Sequence, residues 1–151
     1  MQQRRLFLLL LLLTVLTMAG CGATATAEPP AAAPAANGAP QLAADATRLD
    51  LGEVVNGVVV ERDVAVRNDG DAPLVVTEVL TTCGCTTAAL EPMTLAPGEA
   101  GNLHIIFDSG AHGPELTGPI MRRVILVSND PILPEATVDL QAVILPPETA
   151  E

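Results

Sequence analysis

Apolar and polar positions alternate along most of the chain after residue 46, and the short apolar runs end at clusters of Gly, Pro, Asn and Asp. Successive side chains of a strand point to opposite faces, so Leu103, Ile105 and Phe107 would share one face of a single strand. No amphipathic helix is found after residue 46. The pattern predicts strands over residues 48–51, 57–67, 74–80, 92–95, 102–108, 120–128 and 136–145.

Six or seven short strands in about 100 residues, separated by frequent turns, are typical of an antiparallel β-sandwich. The core would be almost wholly aliphatic, with Phe107 as its aromatic residue. The chain has three cysteines and no Trp. No Trp therefore lies between widely spaced cysteines, which excludes antibody-type domains as a close parallel.

The first 20 residues have the pattern of a signal peptide. Arg4 and Arg5 precede an apolar run over residues 6–16, and small residues lead to Cys21. The run is shorter than the ~20 residues that span a bilayer. Residues 18–21 resemble the bacterial lipoprotein box, in which the cysteine is lipidated, so Cys21 is the predicted lipidation site. Ordinary cleavage after residue 27, giving a secreted or periplasmic soluble protein, is the alternative.

Residues 21–46 are predicted to be a lipidated cysteine followed by a tether. Ala, Pro, Thr and Gly dominate this segment, which has almost no bulky apolar residue to bury. Separated prolines prevent a continuous helix. The expected organisation is a signal peptide over 1–20, the tether over 21–46 and one folded domain over 47–147.

Charge narrows the range of partners. The formal net charge of the 151 residues is −11, and two of the seven basic residues lie in the predicted signal peptide. Nucleic acid is excluded as an expected partner, because binding it requires a positive surface that displaces counterions. An extracytoplasmic location would also allow disulfides to persist.

Cys83-Gly84-Cys85 is the stretch with the richest chemistry. Two thiols one residue apart can form a tight disulfide, bind a soft metal ion or exchange electrons with a partner. Gly84 is predicted to form the turn, since it lacks a Cβ. So small a ring would restrict the unfolded chain little. The residues leave these three roles open.

A metal ion at the cysteine pair would need ligands from elsewhere. His104, His112 and Met93 are the candidates, with Cu(I) or Zn as the metal. Each also has a plainer interpretation: His104 as a solvated strand residue, His112 as part of a Gly-rich loop and Met93 as core. Beyond this metal, no cofactor is expected.

Hydrolytic catalysis finds no support in the sequence. Ser109 and Ser128 are the only serines, and their spacing from the histidines suggests no nucleophile–base arrangement. Glu61 and Asp63 are expected on a solvated strand face. Thiol–disulfide exchange is the only enzymatic chemistry that the residues suggest, and we otherwise expect a non-enzyme.

Six short motifs occur in order along the predicted domain. They are Leu51-Gly-Glu-Val-Val-Asn-Gly57, Val66-Arg-Asn-Asp-Gly-Asp-Ala-Pro-Leu74, Cys83-Gly-Cys-Thr86, Leu95-Ala-Pro-Gly98, Ile106-Phe-Asp108 and Ser128-Asn-Asp-Pro131. Together they resemble the bacterial DUF 1573 family over about residues 47–145. The resemblance implies an immunoglobulin-like sandwich, similar to ASH and major-sperm-protein domains, that is often exported and often lipidated, and it implies no established activity. Members usually have an aromatic residue where this chain has Leu49 or Leu51.

Together these observations predict an immunoglobulin-like antiparallel β-sandwich of about seven strands. We expect it to act as a non-enzymatic protein-interaction module in the cell envelope, tethered to the membrane by the lipid on Cys21. An envelope protein would be its partner. The alternative function is a thiol redox or copper-handling protein that uses Cys83 and Cys85.

Overall fold

The computed structural model of the protein describes residues 38–148. The predicted signal peptide, Cys21 and most of the predicted tether lie outside these residues. No helix that could span a membrane is found in the described part. The described residues form nine strands: β1 (Leu42–Ala44), β2 (Arg48–Val55), β3 (Val59–Asn68), β4 (Leu74–Thr81), β5 (Thr86–Glu91), β6 (Thr94–Leu95), β7 (Ala100–Asp108), β8 (Gly118–Ser128) and β9 (Glu135–Leu145).

Two sheets form the sandwich. Sheet A has the order β1-β3-β7-β5 and sheet B has the order β2-β9-β8-β4-β6. Six of the seven predicted strands match the longer strands β2, β3, β4, β7, β8 and β9, and the seventh, predicted over residues 92–95, matches the short β6. The all-β sandwich is therefore confirmed. One pair departs from the antiparallel expectation: β2 and β9 are parallel, because both run toward the same end of the domain.

The core lies between the sheets and is aliphatic apart from one ring. The alternation predicted for β7 is confirmed, since Leu103, Ile105 and Phe107 are all buried. Strands β8 and β9 of sheet B contribute the side chains on the opposite side of the core. The largest fully buried side chains are Phe107, Leu74, Leu95, Leu103, Ile105, Leu126, Leu140, Ile144, Val66, Val76, Val124 and Val138.

Two strands lie where the sequence predicted none. Leu42 is buried and β1 pairs with the end of β3, with Leu42 opposite Asn68. Residues 42–46 therefore belong to the folded domain and not to the tether, so the predicted boundary at residue 47 is wrong. Strand β5 follows the cysteine pair directly and pairs with β7, Thr86 lying opposite Phe107.

The strands run between two ends of the sandwich that differ in their residues. We call the end formed by residues 38–41, 68–73, 92–99 and 129–134 the closed pole. The end formed by residues 56–58, 82–85 and 109–117 is the cysteine pole. The N-terminal part of the described chain lies at the closed pole, where the Asp71 backbone N–H donates to the Ala39 carbonyl (3.1 Å). A strand of ten residues, such as β3, separates the poles by about 30 Å.

Candidate functional site at the cysteine pole

Cys83 and Cys85 lie in the short connection between β4 and β5 and are joined by a disulfide. Their Cα atoms are 5.3 Å apart, within the usual range for a bridge. Both sheets hold the connection: the Thr82 N–H donates to the Arg123 carbonyl (3.1 Å), and the Asp108 N–H donates to the Cys85 carbonyl (2.8 Å). The pair is thus fixed across the end of the core.

The two sulfur-bearing residues differ in accessibility. Cys85 is 3% exposed and belongs to the core cluster, whereas Cys83 is only partly buried. Gly84 between them is exposed, and a Cβ built on it meets no heavy atom within 4 Å. Its φ is not among the positive values found in the described chain. Glycine is therefore not sterically required for this bend, and an alanine would fit.

Arg122 places a positive charge beside the pair. Its Nε donates a hydrogen bond to Cys85 Sγ (3.2 Å), and its Nη1 donates to the Met121 carbonyl (2.8 Å). Sequence reasoning missed this residue, although a signal was present. The buried Val124 and Leu126 set the inward parity of β8, and Arg122 falls on that same parity. A charged residue at an inward position near the end of a strand indicates a polar partner there.

His112 lies over the cysteine pair. A nitrogen of its ring and the two sulfur atoms all lie within 4.8 Å of one another. This histidine was one of three candidate ligands in the sequence, and the structure brings it to the site. No local pattern indicated the approach, because 27 residues separate His112 from Cys85.

Two polar side chains fix the loop that carries His112. Asn56 donates from Nδ2 to the carbonyls of Gly113 and Leu116 (both 3.0 Å). Ser109 Oγ lies 2.9 Å from the Val55 carbonyl and 2.8 Å from that of Val58, and donates its hydrogen to them. Both anchors are buried. The loop is thereby tied to the turn after β2.

Glycine is required where this loop crosses that turn. A Cβ at Gly110 would lie 2.9 Å from the Cα of Gly57, and Gly57 itself has a φ of +95°. Real Cβ atoms do not approach backbone so closely, and a side chain at such a φ is strained. Asn56 and Gly57 belong to the first of the sequence motifs, which therefore has a structural role at the cysteine pole.

The other two candidate ligands lie elsewhere. His104 is on the outer face of sheet A, where Nδ1 donates to Asp63 (2.8 Å) and Nε2 lies 3.8 Å from a Glu61 oxygen. Met93 lies at the closed pole, where its carbonyl accepts from the Val76 N–H. Met93 is 38% exposed, so its interpretation as a core residue is wrong. The expectation that His104 is a solvated strand residue agrees with its partial exposure.

The ion pairs on sheet A shift two protonation equilibria. The hydrogen bond to Asp63 raises the pKa of His104 above its ordinary value, against a smaller opposing effect of burial. Hydrogen bonds from Asn102 and then from His104 lower the pKa of Asp63. All these groups are exposed to solvent, so the cluster is a surface feature separate from the cysteine pole.

Both serines have structural partners. Ser109 is fully buried and anchors the loop. Ser128 Oγ accepts from the Asp130 N–H (3.2 Å).

Comparison with known proteins shows which family the sequence matches. A family described as "Protein of unknown function (DUF1573)" matches residues 42–143, which covers the folded domain. The match begins at β1, in agreement with the earlier start of the domain in the structure. No curated protein matches the chain significantly.

Solved structures share the fold. A protein of unknown function from Porphyromonas gingivalis W83 is 27% identical, with a TM-score of 0.62; the match covers 76% of this chain and 50% of that one. The chain thus spans about half the length of that protein. The ASH/PapD-like domain 7 of human CEP192 is 12% identical with a TM-score of 0.50, covering 82% of this chain and 94% of that one. The Vibrio cholerae VesB protease is 15% identical with a TM-score of 0.52, covering 69% and 31% respectively.

Proposed function

We propose that this chain, which belongs to the DUF1573 family, acts outside the cytoplasm as a membrane-tethered module that binds another envelope protein. One observation carries the proposal: an exposed, partly apolar groove lies on the half of the domain that faces away from its N-terminal end. The groove is on the outer face of sheet B and has a volume of about 540 Å³. A tether that leaves from the closed pole would present this half outward.

The groove combines an apolar floor with an acidic rim. Met121 is 54% exposed and Val143 is 42% exposed, and both line the groove together with Pro119 and Ile120, so that the apolar side chains form one exposed patch. Asp50 and Glu53 line the same groove, and no basic residue does so in the described part of the chain. The matching partner is therefore a protein segment that inserts an apolar side chain between Met121 and Val143 and places a basic residue near the two carboxylates.

The binding experiment starts from a photo-crosslinking residue at Gln141, which lines the groove. The trapped protein is identified and purified, and its affinity is measured against the full chain. Met121→Glu should weaken binding at least tenfold, because it buries a charge in the apolar part of the contact. Thr87→Glu, on the exposed outer face of sheet A, is the matched control and should bind as the wild type does. Equal affinities for both variants would refute the groove as the binding surface.

The membrane tether is tested separately. Lipidation at Cys21 would supply the two or more acyl chains that stable anchoring requires. Cys21→Ala should move the protein from the membrane fraction to soluble or unprocessed forms. A mature Cys21→Ala protein that stays in the membrane fraction would contradict lipid anchoring.

Thiol–disulfide exchange at the cysteine pole is the second candidate function, and the contact between Arg122 and Cys85 favours it. A dithiol of a partner would attack the more accessible Cys83 sulfur. The Cys83–Cys85 bond then breaks, and Cys85 leaves as a thiolate beside the Arg122 guanidinium, which stabilises the negative charge. The partner's second thiol next attacks the mixed disulfide, so that the partner is oxidised and both cysteines are reduced.

The chain offers a matched pair of variants for this step. Arg122→Gln removes the charge beside Cys85, and reduction by dithiothreitol should become about tenfold slower, which corresponds to about 1.4 kcal/mol in the barrier. Arg123→Gln removes the neighbouring charge, which instead pairs with Asp139 (2.7 Å). That control should be reduced at the wild-type rate. Equal rates in both variants would exclude a role for Arg122 in the exchange.

A further inference from the structure

The cysteine pole also brings together three atoms that bind soft metal ions. They are the sulfur atoms of Cys83 and Cys85 and a ring nitrogen of His112, all within 4.8 Å of one another. Donors that bind one ion at about 2.3 Å in a trigonal arrangement lie about 4 Å apart. The two bonded sulfur atoms must separate by about 2 Å once the disulfide is reduced, whereas the ring nitrogen, within 4.8 Å of both sulfurs, already lies within about 1 Å of the required distance.

Hydrogen bonds from two buried side chains hold the loop around His112 in place. Asn56 binds two carbonyls of this loop, and Ser109 fixes the loop's first residue. Asp108 Oδ1 also accepts from the Gly110 N–H (2.9 Å). A ligand held in this way loses little conformational freedom on binding, so more of the metal–ligand bond energy is retained as affinity.

The charges in direct contact with the cysteine pair favour a monovalent ion. Two thiolates and one Cu(I) carry a net charge of −1, and the Arg122 guanidinium, 3.2 Å from Cys85 Sγ, brings the total to zero. A Zn²⁺ ion in the same place would leave a net charge of +1 beside a buried cysteine. Structural Zn²⁺ also takes four protein ligands, whereas the described residues supply three of these donors.

We infer that the reduced protein binds one Cu(I) ion through Cys83, Cys85 and His112. This role is distinct from groove binding and requires only that the disulfide be opened by a dithiol donor. The donor supplies two electrons and two protons: the S–S bond breaks, two thiols form, and the donor's own thiols become a disulfide. Binding then releases the two thiol protons as two Cu–S bonds form, and copper remains Cu(I) throughout.

The experiment compares the chain's two histidines. The full chain in detergent is reduced under anaerobic conditions and titrated with Cu(I) against a chromogenic competing chelator. One equivalent should bind, and X-ray absorption should show two sulfur neighbours and one nitrogen. His112→Ala should lose the nitrogen neighbour and bind at least tenfold more weakly. His104→Ala, on the outer face of sheet A, should match the wild type. The Cys83→Ser/Cys85→Ser variant should lose the equivalent, which separates this site from any copper held by Cys21.

Several results would overturn the inference. They are a His112→Ala protein with unchanged affinity and spectrum, no loss of copper in the double cysteine variant, or preferential loading of Zn²⁺ when both ions are offered. The oxidised protein should bind no Cu(I) at this pair, and binding that ignores the disulfide would equally contradict it. None of these outcomes depends on the groove or on the rate of thiol exchange, so each proposal fails or stands separately.

Discussion

At each pole of the sandwich, a buried asparagine fixes the surrounding turns and loops through hydrogen bonds to their backbone. The two poles nevertheless leave different groups accessible. At the closed pole, Asn68 is fully buried and uses all of its amide groups. Oδ1 accepts from the N–H groups of Gln41 and Gly70, and Nδ2 donates to the carbonyls of Ala72 and Leu95. Both polar atoms of the Asn68 side chain therefore have two partners each, so Asn68 fixes the turns and offers nothing to a ligand.

Asp130 completes the closed pole. It is 2% exposed and accepts from the N–H groups of Leu42, Ile132 and Leu133 at 2.7, 2.8 and 3.0 Å. Burial raises the pKa of Asp130, but these three backbone donors outweigh burial and hold it below its ordinary value.

Asn56 and Ser109 play the corresponding part at the cysteine pole, yet the loop that they fix presents an imidazole, which lies beside the two sulfur atoms and the Arg122 guanidinium. The sequence motifs therefore contain two kinds of residue, those that hold the turns together and those that carry reactive groups. The buried Asn and Asp residues are structural at both ends, and the chemistry is confined to one end.

The largest expected loss of stability follows from the removal of the buried Asp130 carboxylate, which holds the closed pole together. Asp130→Ala should reduce the free energy of unfolding by about 3 kcal/mol, because it leaves three buried N–H groups without a charged acceptor. Urea unfolding of the full chain measures this, with Asp71→Ala, which removes an exposed carboxylate from another turn of the closed pole, as the control. A loss below about 1 kcal/mol would show that water replaces the carboxylate without difficulty.

The same carboxylate should make stability sensitive to acid. Because the folded-state pKa of Asp130 lies below the ordinary value of 3.8, its contribution is complete above that pH and is lost as the pH falls through the folded-state value. The urea midpoint should therefore fall on acidification, and less so in Asp130→Asn. Identical pH profiles for the two proteins would exclude Asp130 as a source of the acid sensitivity.

Asn56→Ala should have a smaller effect that is confined to the cysteine pole. Two carbonyls of the loop lose their donor, which we expect to reduce stability by about 1–2 kcal/mol. Amide hydrogen exchange should accelerate in residues 110–117, while the closed pole stays protected. Uniform acceleration over the whole domain would mean that the poles are not independent.

Reduction of the disulfide should cost no more stability than Asn56→Ala does. A loop this small removes little freedom from the unfolded chain, so opening it should reduce the free energy of unfolding by about 1–2 kcal/mol at most. The Cys83→Ala/Cys85→Ala variant is the control and should not respond to reductant. Loss of cooperative unfolding after reduction would contradict this prediction, because it would show that the disulfide contributes as much to the free energy of unfolding as Asp130 does.

The smallest effect concerns the surface cluster on sheet A, which belongs to neither pole. His104 should titrate above its ordinary pKa of 6.5. The Asp63→Asn variant should lower the pKa of His104 toward that ordinary value. The favourable interaction is present at low pH and is lost as the pH rises through the raised pKa. NMR titration of the His104 ring measures the shift, and Glu61→Gln should change it less. An unchanged titration in Asp63→Asn would contradict the assigned hydrogen bond.

Much of the fold follows from alternation and turn residues, because these act locally. The seven longer strands include one, β5, that the pattern did not predict. Its sequence, Thr86-Thr-Ala-Ala-Leu-Glu91, contains two alanines and only weak β-forming signals. Pairing with β7 decides its conformation, and that contact is not visible in the sequence. Strand β1 was missed for a similar reason: Leu42 is one apolar residue in an Ala-rich segment.

The candidate site could be predicted only in part. The cysteine pair is visible as a motif, and His112 could be named as a possible ligand. Its selection over His104 depends on a loop that returns across the sandwich, held by hydrogen bonds from Asn56 over 57 and 60 residues. Arg122 could have been found from the parity of β8, whereas its contact with Cys85 needed the packing of two sheets.

The strand order of sheet B also determines when this domain can fold. β9 is the last of the nine described strands in chain order, yet it lies between β2 and β8. Until residues 135–145 are available, β2 has no partner in the sheet and the core lacks the buried side chains of β9. We therefore expect a chain truncated before residue 135 to remain unfolded. For the exported role proposed above, this order would keep the chain competent for translocation until β9 has crossed.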